Sequence, residues 1–434
     1  MASAMEKRCI LDVLRFRYRG ARRRHKTAII TELCERLLIG RKHAIRLLGP
    51  HPPGRPAKPR KLGRPGKYRD AEFIGALRVV WKTMRYVCGR LMKEAIPEWL
   101  PFIETERGKF SFDVRKRLLS ISAPTIDRIL KPYKATKGRT FTRSTGFRDE
   151  IPIQENIWDI QIPGFMESDT VAHCGGSMHG EFVNTLTMVD ICSMWTEARA
   201  VFGRGSNAVF DALKDIEAHL PFPILGYDAD NGGEVLNHHV LSYFQAERIE
   251  QQRHPVQVTR SREYRKNDNA HVEQRNDSVA RRYLGYDRLG FPDLVPLINY
   301  YYARVVCPLI NHFMPSFKLK DKIRIKSRTR RVYGKPVTPY ARIVASPEVH
   351  PELKARLVAE HRALNPVALV REEQTLRKII DSAARALAAG LQMPKHPAYT
   401  LSIHYLNTAQ NSVQFSEVSL PLVLHRRVHP HNLR

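Results

Sequence analysis

Two apolar runs, each about the length of a strand and each ending in an acid, constrain this chain more than any other feature. Phe165-Met166-Glu167-Ser168-Asp169-Thr170-Val171 delivers one carboxylate. Pro223-Ile224-Leu225-Gly226-Tyr227-Asp228-Ala229-Asp230-Asn231-Gly232-Gly233 delivers a second where the chain turns on glycine. A third acid follows in Lys266-Asn267-Asp268-Asn269-Ala270-His271-Val272-Glu273, inside a stretch, 267–284, whose spacing predicts a helix. Between them, residues 181–191 and 194–201 read as strands joined across a tight turn near Cys192-Ser193. Residues 206–220 have helical spacing, with Val209, Leu213 and Ile216 inward; 222–227 reads as a short buried strand, and 235–245 as a helix.

Three antiparallel strands, a helix, a strand and then helices is the outline of an RNase H-like α/β fold. In that outline Asp169 leaves a central strand, Asp230 leaves its neighbour, and Glu273 comes from a helix crossing the same edge. Hard divalent ions such as Mg²⁺ or Mn²⁺ want oxygen ligands and keep positions open for water and phosphate. Two of them about 3.5–4 Å apart serve an in-line phosphoryl displacement. Asp169 is the natural bridging ligand, with Asp230 on one ion and Glu273 on the other. Taken singly, each acid is as readily a turn, capping or solvated residue; the combination is what carries the reading. Asp228 competes with Asp230, but Asp-Asn-Gly at the strand's end favours Asp230. His173 and Cys174 lack a partner pair at ligand spacing, which sets zinc aside. Lys266, seven residues before Glu273, falls on the same helical face and suits a phosphate.

Charge supplies the substrate. Lys and Arg number 72 against 43 acids, a formal net charge of +29 over 434 residues. Such an excess calls for an anionic partner, nucleic acid before membrane surface. No apolar run approaches the length of a membrane span, and Glu6, Lys7, Arg8 and Asp12 interrupt any secretory leader in residues 1–14. The six cysteines form no C-x-x-C pair, so neither a zinc ribbon nor a disulfide framework is expected. The expected compartment is reducing, cytoplasmic and nucleoid-associated. A chain this long divides into several domains.

Residues 1–49 read as a helix-turn-helix module. Ile30, Leu33, Cys34 and Leu37 form a stripe, Gly40 breaks it, and a basic second helix follows. Arg41, Lys42 and Arg46 would face DNA, with Ala44, Ile45 and Leu48 inward; an ordinary helical hairpin with a solvated basic face is the plainer reading. Residues 50–69 form a basic Gly/Pro linker in which Arg55 and Arg64, each in Gly-Arg-Pro, suit a narrow minor groove or merely a tether. Residues 70–131 read as a second helical DNA-binding module. There Ser122 caps a helix with Pro124 early in it, and Thr125 and Arg128 point outward. Residues 132–150 are a linker, and 151–315 hold the catalytic core. Residues 316–350 form a basic β-rich segment in which Arg324 and Lys326 lie on a phosphate-contacting face. Residues 351–391 are C-terminal helices with an apolar seam, and 392–434 form a tail without a readable signal.

The order Asp169-Thr170, Asp230-Asn231-Gly232, then Lys266-x-x-Asn269-x-x-x-Glu273 resembles the catalytic core of DDE transposases and retroviral-type integrases. The strings 169–176 and 267–274 look like one branch, the bacterial insertion-sequence transposases with an integrase core. The resemblance covers most of the chain and is strongest over 165–282. It implies an RNase H-like core whose three carboxylates bind two Mg²⁺, cleavage at transposon ends, and transfer of the 3′-hydroxyl to target DNA. It also implies double-stranded DNA, terminal repeats and target alike, as partner, and a homo-oligomer on paired ends. Two departures stand out: 42 residues separate Asp230 from Glu273, slightly more than is usual, and Gly233 and Val235 replace the commoner serine and phenylalanine. The rival expectations are a catalytically silent DNA-binding repressor derived from a transposase, and an RNase H-like nuclease.

Overall fold

The computed structural model describes residues 4–49, 67–134, 162–229, 238–251, 253–260, 272, 275–325 and 328–393. The chain forms two compact units, residues 1–69 and 70–434.

The first unit is built of three helices, α1 (Ala4–Gly20), α2 (Arg23–Leu37) and α3 (Arg41–Leu48). Leu14 from α1, Ile29, Ile30 and Leu33 from α2, and Ala44 and Leu48 from α3 make its core. The turn between α2 and α3 is made differently from the sequence expectation. Leu38, not Gly40, takes the left-handed conformation (φ 52°), while Gly40 stays extended (φ −67°) and begins α3. Ile45, expected inward, is 44% exposed. It lies about 100° around the helix from Ala44, on the solvent side of the stripe that Ala44 and Leu48 form.

The second unit opens with α4 (Ala71–Thr83), α5 (Gly89–Arg107), α6 (Phe112–Ser120) and α7 (Ala123–Leu130). Asp70 caps α4, accepting from Phe73 N–H at 2.9 Å. α5 begins against α7: Gly89 N–H donates to Asp127 Oδ1 at 3.2 Å. A Cβ on Gly89 would lie 2.4 Å from the Ala123 carbonyl oxygen, so only glycine fits there. Trp99 of α5 is fully buried and donates its ring N–H to the Phe313 carbonyl at 2.9 Å.

Next comes a five-stranded mixed sheet, β1 (Phe165–Ala172), β2 (Val183–Asp190), β3 (Thr196–Phe202), β4 (Gly226–Ala229) and β5 (Gln257–Arg260), in the order β3-β2-β1-β4-β5. β1 and β2, and β2 and β3, pair antiparallel, whereas β4 joins β1, and β5 joins β4, in parallel. α8 (Ser206–His219) makes the crossover from β3 to β4. After β4 come α9 (His238–Ser242), a π-helical turn (Tyr243–Glu247) and α10 (Arg248–Glu250) before β5.

Period-two alternation gives β1 two different faces. Met166 on one face joins Leu186, Met188, Val209, Leu213, Ile216 and Tyr227 in the core under α8. Glu167 and Asp169 lie on the other face. β2 is buried at all eight positions, as a strand covered on both sides must be. The edge strand β3 keeps its outward backbone groups satisfied through two asparagines. Asn311 accepts from Thr196 N–H at 2.9 Å and donates to Thr196 C=O at 2.9 Å. Asn299 does the same for Ala200, at 2.6 and 3.1 Å. Each side-chain amide stands in for a missing strand, which closes the edge to another chain.

Beyond the sheet, Val272, Arg275 and Asn276 are helical, a π-helical turn follows (Asp277–Arg281), and α11 (Arg282–Leu284) ends it. Then come α12 (Leu294–Tyr301), π-helical turns at Tyr302–Val306 and Leu309–Phe313, and the hairpin β6 (Leu319–Ile325) and β7 (Arg328–Tyr333). α13 (Pro339–Ala345), α14 (Pro351–Ala363) and α15 (Pro366–Ala388) complete the order. The segment 316–350 thus holds the hairpin and then α13: Thr338 caps α13, accepting from Ala341 N–H, and Pro339 starts it. Proline at a first helical position has the required φ and lacks the N–H that the helix start leaves unpaired.

Candidate active site

The site is built from the face of β1 that turns away from α8. Glu167 and Asp169 are two residues apart and so lie on the same side of the strand. Glu167, 4% exposed, accepts from the Val272 backbone N–H at 3.0 Å. Asp169 is half-buried; its Oδ2 accepts from Asn276 Nδ2 at 2.6 Å and its Oδ1 from Thr170 N–H at 2.7 Å. Two acids one pleat apart thus hold Val272 and Asn276, which are four residues apart, one helical turn. Val272 completes the seam by packing on Val189 and Met194.

The same helix is fixed from its other flank. Arg275, 7% exposed, donates to the Met194 carbonyl in the β2–β3 turn at 2.9 Å. Burial, with Arg342 near by, pushes its pKa down to about 10. That turn is itself rigid. Asp190 accepts from Gly164 N–H at 2.8 Å, Ser193 N–H at 2.6 Å and Ser193 Oγ at 2.5 Å. Burial raises the Asp190 pKa, and these hydrogen bonds oppose the shift. Gly164 leads into β1 at φ +121°, a conformation that favours glycine.

On the other side of β1, β4 is in register, with Glu167 opposite Asp228 and Ser168 opposite Ala229. Asp228 accepts from Thr259 Oγ1 of β5 at 2.8 Å. It lies level with Glu167, one residue before the end of β4.

Of the residues singled out by sequence, Asp230, Glu273, Lys266, Arg55, Arg64 and Lys326 lie outside the described residues. Arg41, Lys42 and Arg46 are exposed on α3. Arg128 is exposed on α7, whereas Thr125 is half-buried, its hydroxyl 2.9 Å from Ser122 Oγ. Ser122 does occupy the cap position of α7, but its side chain meets this hydroxyl instead of a backbone N–H. Arg324 lies in β6. His173 is buried and bonded to Thr185 Oγ1 at 2.8 Å. Burial and the charges of Arg281 and Arg377 push its pKa down to about 3, so it is a neutral core residue. Sequence reasoning passed over Glu167 and Asn276. Their signals were positional: two residues before Asp169 on a strand, and three after Glu273 in a predicted helix.

Among the described residues no cluster of three or more His, Cys, Asp or Glu is placed to hold a metal ion. No helix among them is long and apolar enough to cross a membrane.

The fold and this site describe a mixed α/β domain with an acidic side chain presented beside a strand end and gripped by a helix. No protein-family model matches the chain. The uncharacterized protein y4rM of Sinorhizobium fredii is 35% identical over 339 residues, 77% of this chain and 93% of that protein. The chain belongs to the family of that protein. Among solved structures, the catalytic core domain of BIV integrase is matched at 14% identity and TM-score 0.24, over 46% of this chain and 97% of that one. A chain of the simian T-cell lymphotropic virus intasome in complex with PP2A regulatory subunit B56 gamma is matched at 15% identity and TM-score 0.28, over 50% and 81%. At those scores the description of the fold rests on strand order and register alone.

Proposed function

We propose that this chain is a DDE transposase, a polynucleotidyl transferase that binds transposon terminal repeats, cleaves DNA at their ends and joins the 3′-hydroxyl to target DNA. The observation that carries the reading is the parallel register of β1 and β4, whose last pair is Ser168 with Ala229. Asp230, the next residue in sequence, would fall beside Asp169 if that register continued. The hydrogen bond from Asn276 to Asp169 supports Glu273 as the third acid, because in the predicted helix Glu273, three residues earlier, would share its face.

The donor set fits a hard divalent cation. Asp169 offers carboxylate oxygen, and an amide and a backbone N–H donate to it. Asp169, Asp230 and Glu273 would hold two Mg²⁺ or Mn²⁺ ions, which supply Lewis-acid stabilisation of the charge on a phosphate under in-line attack. The protein's own part is positional. Asn276 fixes the rotamer of Asp169, as outer-shell partners of ligands do. Glu167 anchors the helix at Val272, and Arg275 ties it to the β2–β3 turn. A ligand on a central strand, gripped by a packed helix, keeps its geometry when DNA arrives.

The test is strand transfer with Mg²⁺, using duplexes taken from the DNA flanking the gene. Wild type joins ends to target, and Asp169→Asn, Asp230→Asn and Glu273→Gln each fail. If the three variants join ends as the wild type does, the assignment is wrong. If the wild type binds those ends and never cuts them, the chain is a binder.

A further inference from the structure

Two stretches that look in sequence like separate DNA contacts, the start of α7 and the basic hairpin, meet at one cleft of about 270 Å³. One wall is the start of α5, with Arg90, Lys93 and Glu94, together with Ala123, the first residue of α7. The other wall is the root of the hairpin, with Phe317, Tyr333 and Lys335. Lys335 reaches across to Glu94 at 2.9 Å, its own side chain 73% exposed. Arg90 and Lys93 are exposed and, among the described residues, have no acidic partner. Phe317 and Tyr333 meet edge to face, ring centroids 5.8 Å apart, and Tyr333 stays 40% exposed.

In the hairpin rising from this cleft, Lys322 pairs with Arg331 and Arg324 with Thr329, so both strands carry basic residues. Arg128 stands exposed on α7, whose first residue borders the cleft.

We infer that this cleft and the hairpin above it hold the sugar–phosphate backbone of one DNA duplex, so that α7 and the hairpin act on a single DNA site. Phosphate contacts fix a protein's register on the duplex and leave base reading to neighbouring side chains. Arg90 and Lys93 are the positioning contacts, and Arg128 lies exposed farther along α7. The inference rests on the proposal that duplex DNA is the substrate, but it does not need the three acids to be catalytic.

The experiment is binding of a terminal duplex by the full-length protein across a range of salt concentrations. Each phosphate contact adds about 0.9 to the slope of log K against log salt. The double variant Arg90→Ala/Lys93→Ala is expected to lower that slope by about 2, and Arg331→Ala by about 1 on the same duplex. A second reading comes from Cys88, the exposed residue that precedes α5. Bound duplex should slow its alkylation in the wild type, and the double variant should lose that protection. Circular dichroism establishes that the variants are folded. An unchanged slope in the double variant, or equal Cys88 alkylation with and without duplex, overturns the inference. Tighter binding of the same duplex made of RNA overturns the choice of DNA. A protein that never joins ends but shows the slope loss keeps this inference while losing the proposed reaction.

Discussion

Asp169 and Asp190 sit in neighbouring strands of one sheet and are put to opposite uses. Asp190 is 0% exposed and saturated by three donors, two from Ser193 and one from Gly164. It ties the β2–β3 turn to the entrance of β1 and faces no space a substrate can enter. Asp169 is half-buried, and one of its oxygens is held by a side chain from a helix instead of by a turn. A saturated acid in the core stabilises. A partly exposed acid held by a helix's side-chain amide and its neighbour's N–H is set up to bind something else. Carboxylate chemistry is the same in both, and the packing decides the role.

Four substitutions can break or sharpen this contrast. The largest effect belongs to Asp169→Asn. Strand transfer should fall by more than about 100-fold, since even outer-shell partners of ligands cost about 10–100-fold, while the thermal midpoint stays near wild type. Asn276→Ala comes next, with a loss of about 10–100-fold in strand transfer and no change in DNA affinity. If it moves affinity and not rate, Asn276 does not position Asp169. Asp190→Ala should reverse the pattern. It leaves three buried donors without an acceptor, so stability should fall by about 3 kcal/mol or more in urea, and the activity of the folded fraction should persist.

The smallest effect is a pH dependence carried by His173. Its folded pKa of about 3 lies below the unfolded value, so its contribution is fully present above about pH 6.5. That contribution falls by about 1.4 kcal/mol per pH unit as the pH drops from there towards 3. His173→Gln should flatten the acid limb of stability against pH by about one proton. An unchanged limb would mean that the imidazole titrates normally in the folded state.

Sequence reasoning read the sheet best where one face of a strand is buried and the other is not. β1, β2 and β3 lie within or close to the apolar stretches that suggested them, and α8 follows its inward stripe of Val209, Leu213 and Ile216. It placed β4 too early because Phe222 and Ile224, 5% and 2% exposed, are core residues that precede the strand. Hydrophobicity marks burial, and a short apolar run does not say whether the backbone is paired. β5 went unseen because Gln-Val-Thr-Arg carries a single aliphatic residue, and its identity comes from pairing with β4. The asparagines that close β3 were invisible for a related reason: Asn299 and Asn311 lie about a hundred residues from their partners. At the site, Asp169 was legible as a strand acid, although β1 continues three residues past it to Ala172. Asn276 and Glu167 were not, since nothing local marks a side chain whose partner lies 107 or 105 residues away.

The most direct test of the account is a crystal structure of the protein soaked in Mn²⁺, located by its anomalous scattering. The account predicts an ion shared by Asp169 and Asp230, with metal–oxygen distances of about 2.1 Å and Glu273 on the same side. Mn²⁺ bound elsewhere, with the Asp230 carboxylate turned away from Asp169, would contradict it.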